Sequence, residues 1–278
     1  MSMISVITIV KNDKSGIERT IKSVLSQTYK DIEFVIKDGL STDGTTEFIT
    51  KLLRQNPCSY DIKYLNTKDN GIYNAMNQAI RFSTGKWLIF INSGDELCTP
   101  DTLSALADLL DDDIDILFGD AIVRDDYGDY LWKADISKIH SRMPFNHQSC
   151  LFKASLFDNT FFDETYKIAA DYDLIATLYN QGFKFVNAHK IFSIFELNGL
   201  SSTKYINALK ERYIIREKNN YVKKYYKYTL EYISDYLVSI IKTLVAKLCP
   251  PALTGKVRNY YKTKYNKYVP INETFKCH

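Results

Sequence analysis

A rhythm in the first hundred residues constrains this chain more than any other feature. Four short apolar runs, at residues 5–10, 32–36, 62–65 and 87–91, alternate with segments of helical length. Continuous apolar runs suit strands covered on both faces. Between them, residues 17–27 put Ile17, Ile21, Val24 and Leu25 on one helical face, and residues 71–82 turn Ile72, Ala75, Met76, Ala79 and Ile80 inward. Residues 45–53 read as a further helix, with Ser41 or Asp43 as its cap. The alternation predicts an α/β fold with a mostly parallel sheet and helices on both faces. Ligands in such sheets bind beyond the carboxyl ends of the strands. Polar clusters fall at those ends: Lys11-Asn12, residues 38–43, Asp69-Asn70-Gly71 and residues 92–95.

The second hundred residues are less regular. A helix is expected at 103–110, a strand at 114–118 and a hairpin at 121–132 turning near Tyr127-Gly128. Strands at 149–153 and 184–195 flank a helix at 172–181. From Tyr205 the chain reads as long, helical and basic, interrupted at Pro250-Pro251. Residues 205–278 hold fifteen Lys/Arg against five Asp/Glu, so the net charge of +3 hides a basic tail on an acidic remainder. The five cysteines are scattered without a CxxC spacing, which argues against zinc and for a reducing compartment. The apolar N-terminal run is short and lacks a basic leader, so it reads as a first strand rather than a signal peptide. No run approaches the roughly 20 apolar residues of a membrane-spanning helix.

The strongest motif is Asp38-Gly39-Leu40-Ser41-Thr42-Asp43-Gly44-Thr45, directly after a buried strand. A carboxylate there can accept the N–H of a uracil ring, and hydroxyls and amides at a helix start suit ribose and phosphate. A turn followed by a helix cap is the plainer reading. In this register the motif resembles that of family 2 of the inverting glycosyltransferases. That resemblance implies a nucleotide held by Thr8, Val10, Asn12, Asp38, Ser41 and Asp43. Asp69-Asn70-Gly71-Ile72-Tyr73-Asn74-Ala75-Met76-Asn77 looks like a block from the bacterial polysaccharide branch (colanic acid, O-antigen and capsule type), with Asn74 where an Asp is expected. It adds Asp69 and Asn74 to the nucleotide side, while helix capping and solvation account for the same residues without a ligand.

Phe90-Ile91-Asn92-Ser93-Gly94-Asp95-Glu96 sits where family members carry a D-x-D metal motif. The resemblance makes Asp95 the remaining acidic ligand for Mg²⁺ or Mn²⁺, which would neutralise a leaving diphosphate. Asn92, Ser93 and Gly94 would then face donor or acceptor; a turn or cap by Asp95 is the alternative. Ile168-Ala169-Ala170-Asp171-Tyr172-Asp173-Leu174 aligns Asp171 with the family's general base, which must reach the acceptor hydroxyl. Asp173 is taken with the donor and acceptor contacts. Plain helix capping explains both acids equally well. His147 and Gln148, in Pro144-Phe145-Asn146-His147-Gln148-Ser149, match a pair common in the branch and would contact acceptor, donor phosphates or metal; a structural histidine is the alternative.

The resemblance covers residues 3–194 and implies a GT-A type fold: a catalytic domain at 1–202, divided into a nucleotide half (1–98) and an acceptor half (99–202), with a helical extension at 203–278. It implies an inverting transfer from a nucleotide sugar, a UDP-hexose or UDP-N-acetylhexosamine, to a glycan acceptor carried on undecaprenyl diphosphate. The basic, tyrosine-rich tail suits an anionic membrane surface, where each nearby Lys or Arg contributes roughly 1 kcal/mol. That places the chain in the cytoplasm, peripheral on the inner face of the membrane. Packing on the catalytic domain, or on a second copy in a homodimer, is the alternative for the tail. Nucleic acid is disfavoured because no binding motif accompanies the charge. Among other enzymes, a nucleotidyltransferase lacks its glycine-rich loop here, since Lys11-Asn12-Asp13-Lys14 follows strand one, and a nicotinamide oxidoreductase lacks GxGxxG. A non-catalytic carbohydrate-binding subunit stays open as the alternative from another class.

Overall fold

Seven successive buried residues make β1 (Ile4–Val10) a central strand, with both faces covered. β2 (Ile32–Asp38) and β4 (Trp87–Phe90) flank it in parallel, and β3 (Asp61–Asn66) lies outside β2, also parallel. Helices α1 (Lys14–Leu25), α2 (Thr45–Gln55) and α3 (Ile72–Phe82) make the crossovers. The computed structural model describes residues 3–55, 60–125, 128–196 and 205–221, together with residues 233, 237, 269 and 270.

Alternation along β1 sorts its side chains into two cores. Val6 joins Ile17, Ile21, Phe34, Ile49 and Leu103 on one face of the sheet. Ile7 and Ile9 join Met76, Ala79, Phe90, Phe152 and Tyr172 on the other. Every strand end in the parallel half therefore points its following loop to one edge, the edge where the polar clusters were found.

The second half departs from the parallel reading. β8 (Cys150–Lys153) runs antiparallel to β4, and β6 (Ile116–Asp125) antiparallel to β8. β7 (Gly128–Trp132) forms a hairpin with β6, while β9 (Phe185–Glu196) pairs with β6 in parallel and with the short β5 (Glu96–Leu97) antiparallel. Residues 269–270 add a last strand beside β7. The sheet is thus mixed. The strand expected at 114–118 and the first arm of the hairpin are one element, β6, with a register shift around residues 118–121. Gly119 permits this: a Cβ there would stand 2.4 Å from the carbonyl oxygen of Lys190 in β9.

Helix α4 (Thr102–Ala107) is shorter than expected, and α5 (Ala170–Asn180) starts two residues early. Asp171 is therefore a first-turn residue, and Ala169 occupies the cap. Helix α6 (Tyr205–Lys218) packs on α5, with Asn180 donating to Asn219 (2.6 Å) and the Tyr221 hydroxyl to Asn180 (2.9 Å). Most of the amphipathic stretch at 230–248, and the Pro250-Pro251 break, lie outside the described residues; Ile233 and Leu237 are helical and exposed.

Phe90 sits at the middle of the second core, its ring 5.5 Å from Phe162, 6.1 Å from Phe152 and 6.3 Å from Phe157, with no exposed surface. Phe90→Ala should cost about 3–5 kcal/mol of unfolding free energy in urea titrations. A loss under about 1 kcal/mol would mean that these rings do not form a shared core.

Candidate active site

Asp38 closes β2 fully buried. Its Oδ1 accepts from the Ser41 backbone N–H (2.9 Å) and hydroxyl (2.7 Å), and its Oδ2 from the hydroxyls of Thr46 (2.5 Å) and Tyr64 (2.9 Å). A carboxylate offers about four acceptor positions, and four donors fill them. Asp38 shapes its loop and has no lone pair left for a base. Burial, then Asp38 itself, pushes the Tyr64 hydroxyl up, so that it stays a donor.

The neighbouring loops are laced together in the same way. The left-handed Asn12 (φ 54°) donates its N–H to Ser41 Oγ (2.8 Å), while its Oδ1 accepts from Thr42 N–H (2.8 Å). Asp43 accepts from the Thr45 N–H (3.1 Å) and hydroxyl (2.6 Å), capping α2, and from Lys14 N–H (3.2 Å). Thr45's hydrogen bond holds the Asp43 carboxyl below its usual range. The Thr8 hydroxyl donates inward to Ile91 C=O (2.6 Å), and the Val10 C=O accepts from Gly39. Of the expected nucleotide ligands, then, Thr8 and Asp38 are committed inside, and Asn12, Ser41 and Asp43 line the rim.

Asp69 sits against Gly39, where a Cβ would lie 2.4 Å from its Oδ2. The fully buried Lys37 fixes it, donating from Nζ to Asp69 (3.1 Å), Asp38 C=O (2.9 Å) and Thr67 C=O (2.7 Å). Sequence reasoning passed over Lys37; a lysine inside an otherwise apolar strand was the signal. Asn74 bridges this loop and a distant one, its Oδ1 accepting from the Asn70 N–H (3.1 Å). Its Nδ2 donates to Glu164 (2.9 Å), and Asn77 donates to the same carboxylate (2.9 Å) and to Phe162 C=O (2.9 Å). These amides tie α3 to the segment at residues 162–164. A pocket of about 370 Å³ opens there, lined by Asn70, Tyr73, Asn74, Glu164, Tyr166 and Glu211 among others.

Residues 147–149 form one turn of 3-10 helix, capped by Asn146 Oδ1 accepting from Gln148 N–H (3.0 Å). The turn sends its two side chains to two different acids. His147 Nδ1 stands 3.2 Å from Asp171 Oδ2, and its Nε2 lies 3.4 Å from Asn92 Nδ2. With Asn92 as donor, Nε2 is the acceptor and Nδ1–H points at Asp171. Asp171 Oδ1 also accepts from Tyr172 N–H (2.8 Å) and faces the Tyr73 hydroxyl (3.4 Å). Burial alone would raise the Asp171 carboxyl; His147, the Tyr172 N–H and Arg212 outweigh it and hold it below the usual range. Asp171 is an ionised carboxylate with 19% of its side chain exposed.

Gln148 donates to Asp95, whose other oxygen accepts from Glu196 N–H (3.0 Å). Asp95 is 6% exposed, and burial pushes its carboxyl up to about 8 despite those two donors. Asp173 turns away as well: both its oxygens meet Lys218 Nζ at 2.9 Å. Ser93 donates to Asp13 Oδ2 (2.8 Å), and Gly94 (φ 97°) lies beside Arg19 and Glu196, themselves paired at 2.9 Å.

A cation ligand needs a charged oxygen facing open space. Asp95, expected to supply it, keeps both oxygens on protein donors, so neither faces open space for Mg²⁺ or Mn²⁺ in this arrangement. Among the described residues no group of three or more His, Cys, Asp or Glu could hold a metal ion. The native Asp95 keeps its proton to about pH 8, while the unfolded carboxyl releases it near 3.8. The native state carries the extra proton across that window, so this group's contribution to stability is lost as pH rises through it. Urea midpoints should therefore drop more between pH 5 and pH 8 in the native protein than in Asp95→Asn. Parallel declines would show that Asp95 is ionised.

Comparison with known proteins agrees with this geometry. The pattern of Glycosyl transferase family 2 matches residues 5–178, well over half of the chain. A PGL/p-HBAD biosynthesis glycosyltransferase of Mycobacterium bovis (strain BCG / Pasteur 1173P2) is 29% identical over 206 residues, 72% of this chain and 80% of that protein. The Escherichia coli UDP-Glc:alpha-D-GlcNAc-diphosphoundecaprenol beta-1,3-glucosyltransferase WfaP is 36% identical over 98 residues, 34% of this chain and 36% of that one. Among solved structures, S. aureus TarS 1-349 in complex with UDP-GlcNAc superposes with a TM-score of 0.60 at 18% identity, covering 77% of this chain and 66% of that one. The chain spans 39% of the longer TarS structure. The mannosyltransferase PcManGT from Pyrobaculum calidifontis, in complex with GDP-Man and Mn2+, gives 0.62 at 15% identity over 94% of this chain and 80% of that one. The fold is of the GT-A type, and the chain belongs to glycosyltransferase family 2.

Proposed function

We propose that the chain is an inverting glycosyltransferase that moves a hexose or N-acetylhexosamine from UDP to a hydroxyl of a lipid-linked glycan, in the synthesis of a bacterial surface polysaccharide. One observation carries this reading: an ionised Asp171 in contact with His147 and Tyr73, with His147 also reaching Asn92 at the carboxyl end of β4. Around the same edge, the close approach of Asp69 to Gly39 supports a nucleotide site, and the pocket borders both regions through Asn70, next to Asp69, and Tyr73, 3.4 Å from Asp171.

In this mechanism the acceptor hydroxyl approaches Asp171 and attacks the anomeric carbon. As the new C–O bond forms, its proton passes to the carboxylate, and the bond to the nucleoside diphosphate breaks with its electron pair. An α-linked donor gives a β-linked product. His147 and the Tyr172 N–H hold the carboxylate in one orientation, which keeps the base aligned with the incoming oxygen.

The UDP donor is supported by the TarS complexes with UDP and with UDP-GlcNAc, and by the UDP-Glc donor in the name of WfaP. The diphosphoundecaprenol in that name supports a lipid-linked acceptor. Work at a membrane face draws support from the basic composition of residues 205–278. No helix among the described residues is long and apolar enough to cross a membrane.

Asp171→Asn should bind UDP as the native protein does, yet turn over more slowly by roughly two orders of magnitude or more, the scale of general-base loss. UDP titration by calorimetry, paired with UDP release from UDP-glucose and UDP-N-acetylglucosamine, makes the comparison. Half-normal turnover in this variant would place the base elsewhere.

A further inference from the structure

The first turn of any helix leaves backbone N–H groups without partners, and a side chain at the cap usually takes one of them. Helix α5 has Ala169 at that position and no side-chain cap. The backbone leading into it is held from another helix. Glu211, in the second turn of α6, accepts from three successive N–H groups: Lys167 on Oε1 (2.9 Å), and Ile168 and Ala169 on Oε2 (both 2.9 Å). A carboxylate at a helix N-terminus gains from the dipole as well as from charge-assisted hydrogen bonds. Asp171 follows two residues after the last of these amides. Glu211 thus fixes the backbone that delivers the base, from a position outside residues 5–178 that define the family match.

We propose that Glu211 is a positioning residue for glycosyl transfer: by clamping the 167–169 backbone it aims Asp171 at the acceptor hydroxyl, and it makes α6 part of the catalytic unit. The inference rests on the reading of Asp171 as the base. Other links between the two helices do not reach this backbone. Lys218 pairs with Asp173 on the far side of the first turn, and Tyr221 donates to Asn180 at the other end of α5. They hold α6 on α5, and Lys218 also lies over the Tyr166 ring (6.0 Å), but among these groups Glu211 is the one that binds the 167–169 backbone N–H groups. Misplacing a reacting group by about 1 Å can cost on the order of 100-fold in rate, so a loosened loop is read directly in turnover.

The test uses the full chain, with water as acceptor and UDP release from UDP-glucose and UDP-N-acetylglucosamine as the signal. Glu211→Ala should lower kcat roughly 10- to 100-fold while donor KM and UDP affinity stay within about twofold. Glu211→Gln should fall between the two, because its single carbonyl oxygen can still accept from Ile168 and Ala169 but its amide opposes the Lys167 N–H. Tyr221→Phe, which removes a hydrogen bond between the same helices, should match the native kcat. A Glu211→Ala protein with native kcat overturns the proposal. So does a variant that changes donor KM alone, which would make Glu211 a donor contact and not a positioning residue, or one whose loss of rate only follows the folded fraction seen in its melting curve. Where Glu211→Ala does not fold, Glu211→Gln at native kcat overturns it equally. Asp171→Asn, run beside them, separates the two failures. If that variant is inactive and the Glu211 variants are not, the positioning role falls and the base stands. If Asp171→Asn is active, the base itself falls.

Discussion

His147 faces Asp171 across 3.2 Å, and the arrangement of the cleft depends on that contact. Burial on its own drives a carboxyl toward its neutral form. Asp171 escapes because an imidazole, a backbone N–H and Arg212 oppose burial, and it remains charged. Asp95, reached by the next residue of the same turn, has an amide and one N–H for company, and burial wins. Two acids so separated can take different tasks, one accepting a proton and the other bracing the ends of β4 and β9. The 3-10 turn at 147–149 is what allows adjacent residues to diverge toward them.

Much of the parallel half was legible because its signals are local. A continuous apolar run is buried wherever it lies, and the four expected strands fall within about two residues of β1 to β4. The polar clusters at their ends could be placed for the same reason. Asp171 and His147 could be named as candidates, but their contact joins residues far apart in sequence, and no spacing encodes it. The fate of Asp38 was hidden in a different way. D-G-x-S-x-D suits a ligand and a self-satisfied loop equally, and only the positions of Thr46 and Tyr64 decide between them. The strand expected at 114–118 and the first arm of the hairpin are one because Gly119, whose missing side chain admits β9, carries the strand through a register shift.

The two sides of the cleft are built on different terms. On one side, Ser41 bonds to Asp38 and Asn12, and Asp43 to Thr45 and Lys14, so the loops hold their shape without a ligand. A site prepared in this way loses little conformational entropy on binding. Lys37 extends the pattern into the core, where it costs less than an isolated charge because Asp69 and two carbonyls receive its protons.

On the other side, around α5, the supports come from distant segments. Glu164 reaches α3 through Asn74 and Asn77, and Glu211 reaches the start of α5 from α6. Contacts of this kind join parts of the chain that could be exchanged without disturbing the sheet. Loops and appended helices are where specificity is set on a shared scaffold. The pocket lies between these two clamps, with Asn207 and Glu211 of α6 in its wall. A helix beyond the family match therefore helps shape both the pocket and the backbone ahead of Asp171. Changes in α6 would alter both, while the loops at residues 38–46, tied to one another and to β3, would stay as they are.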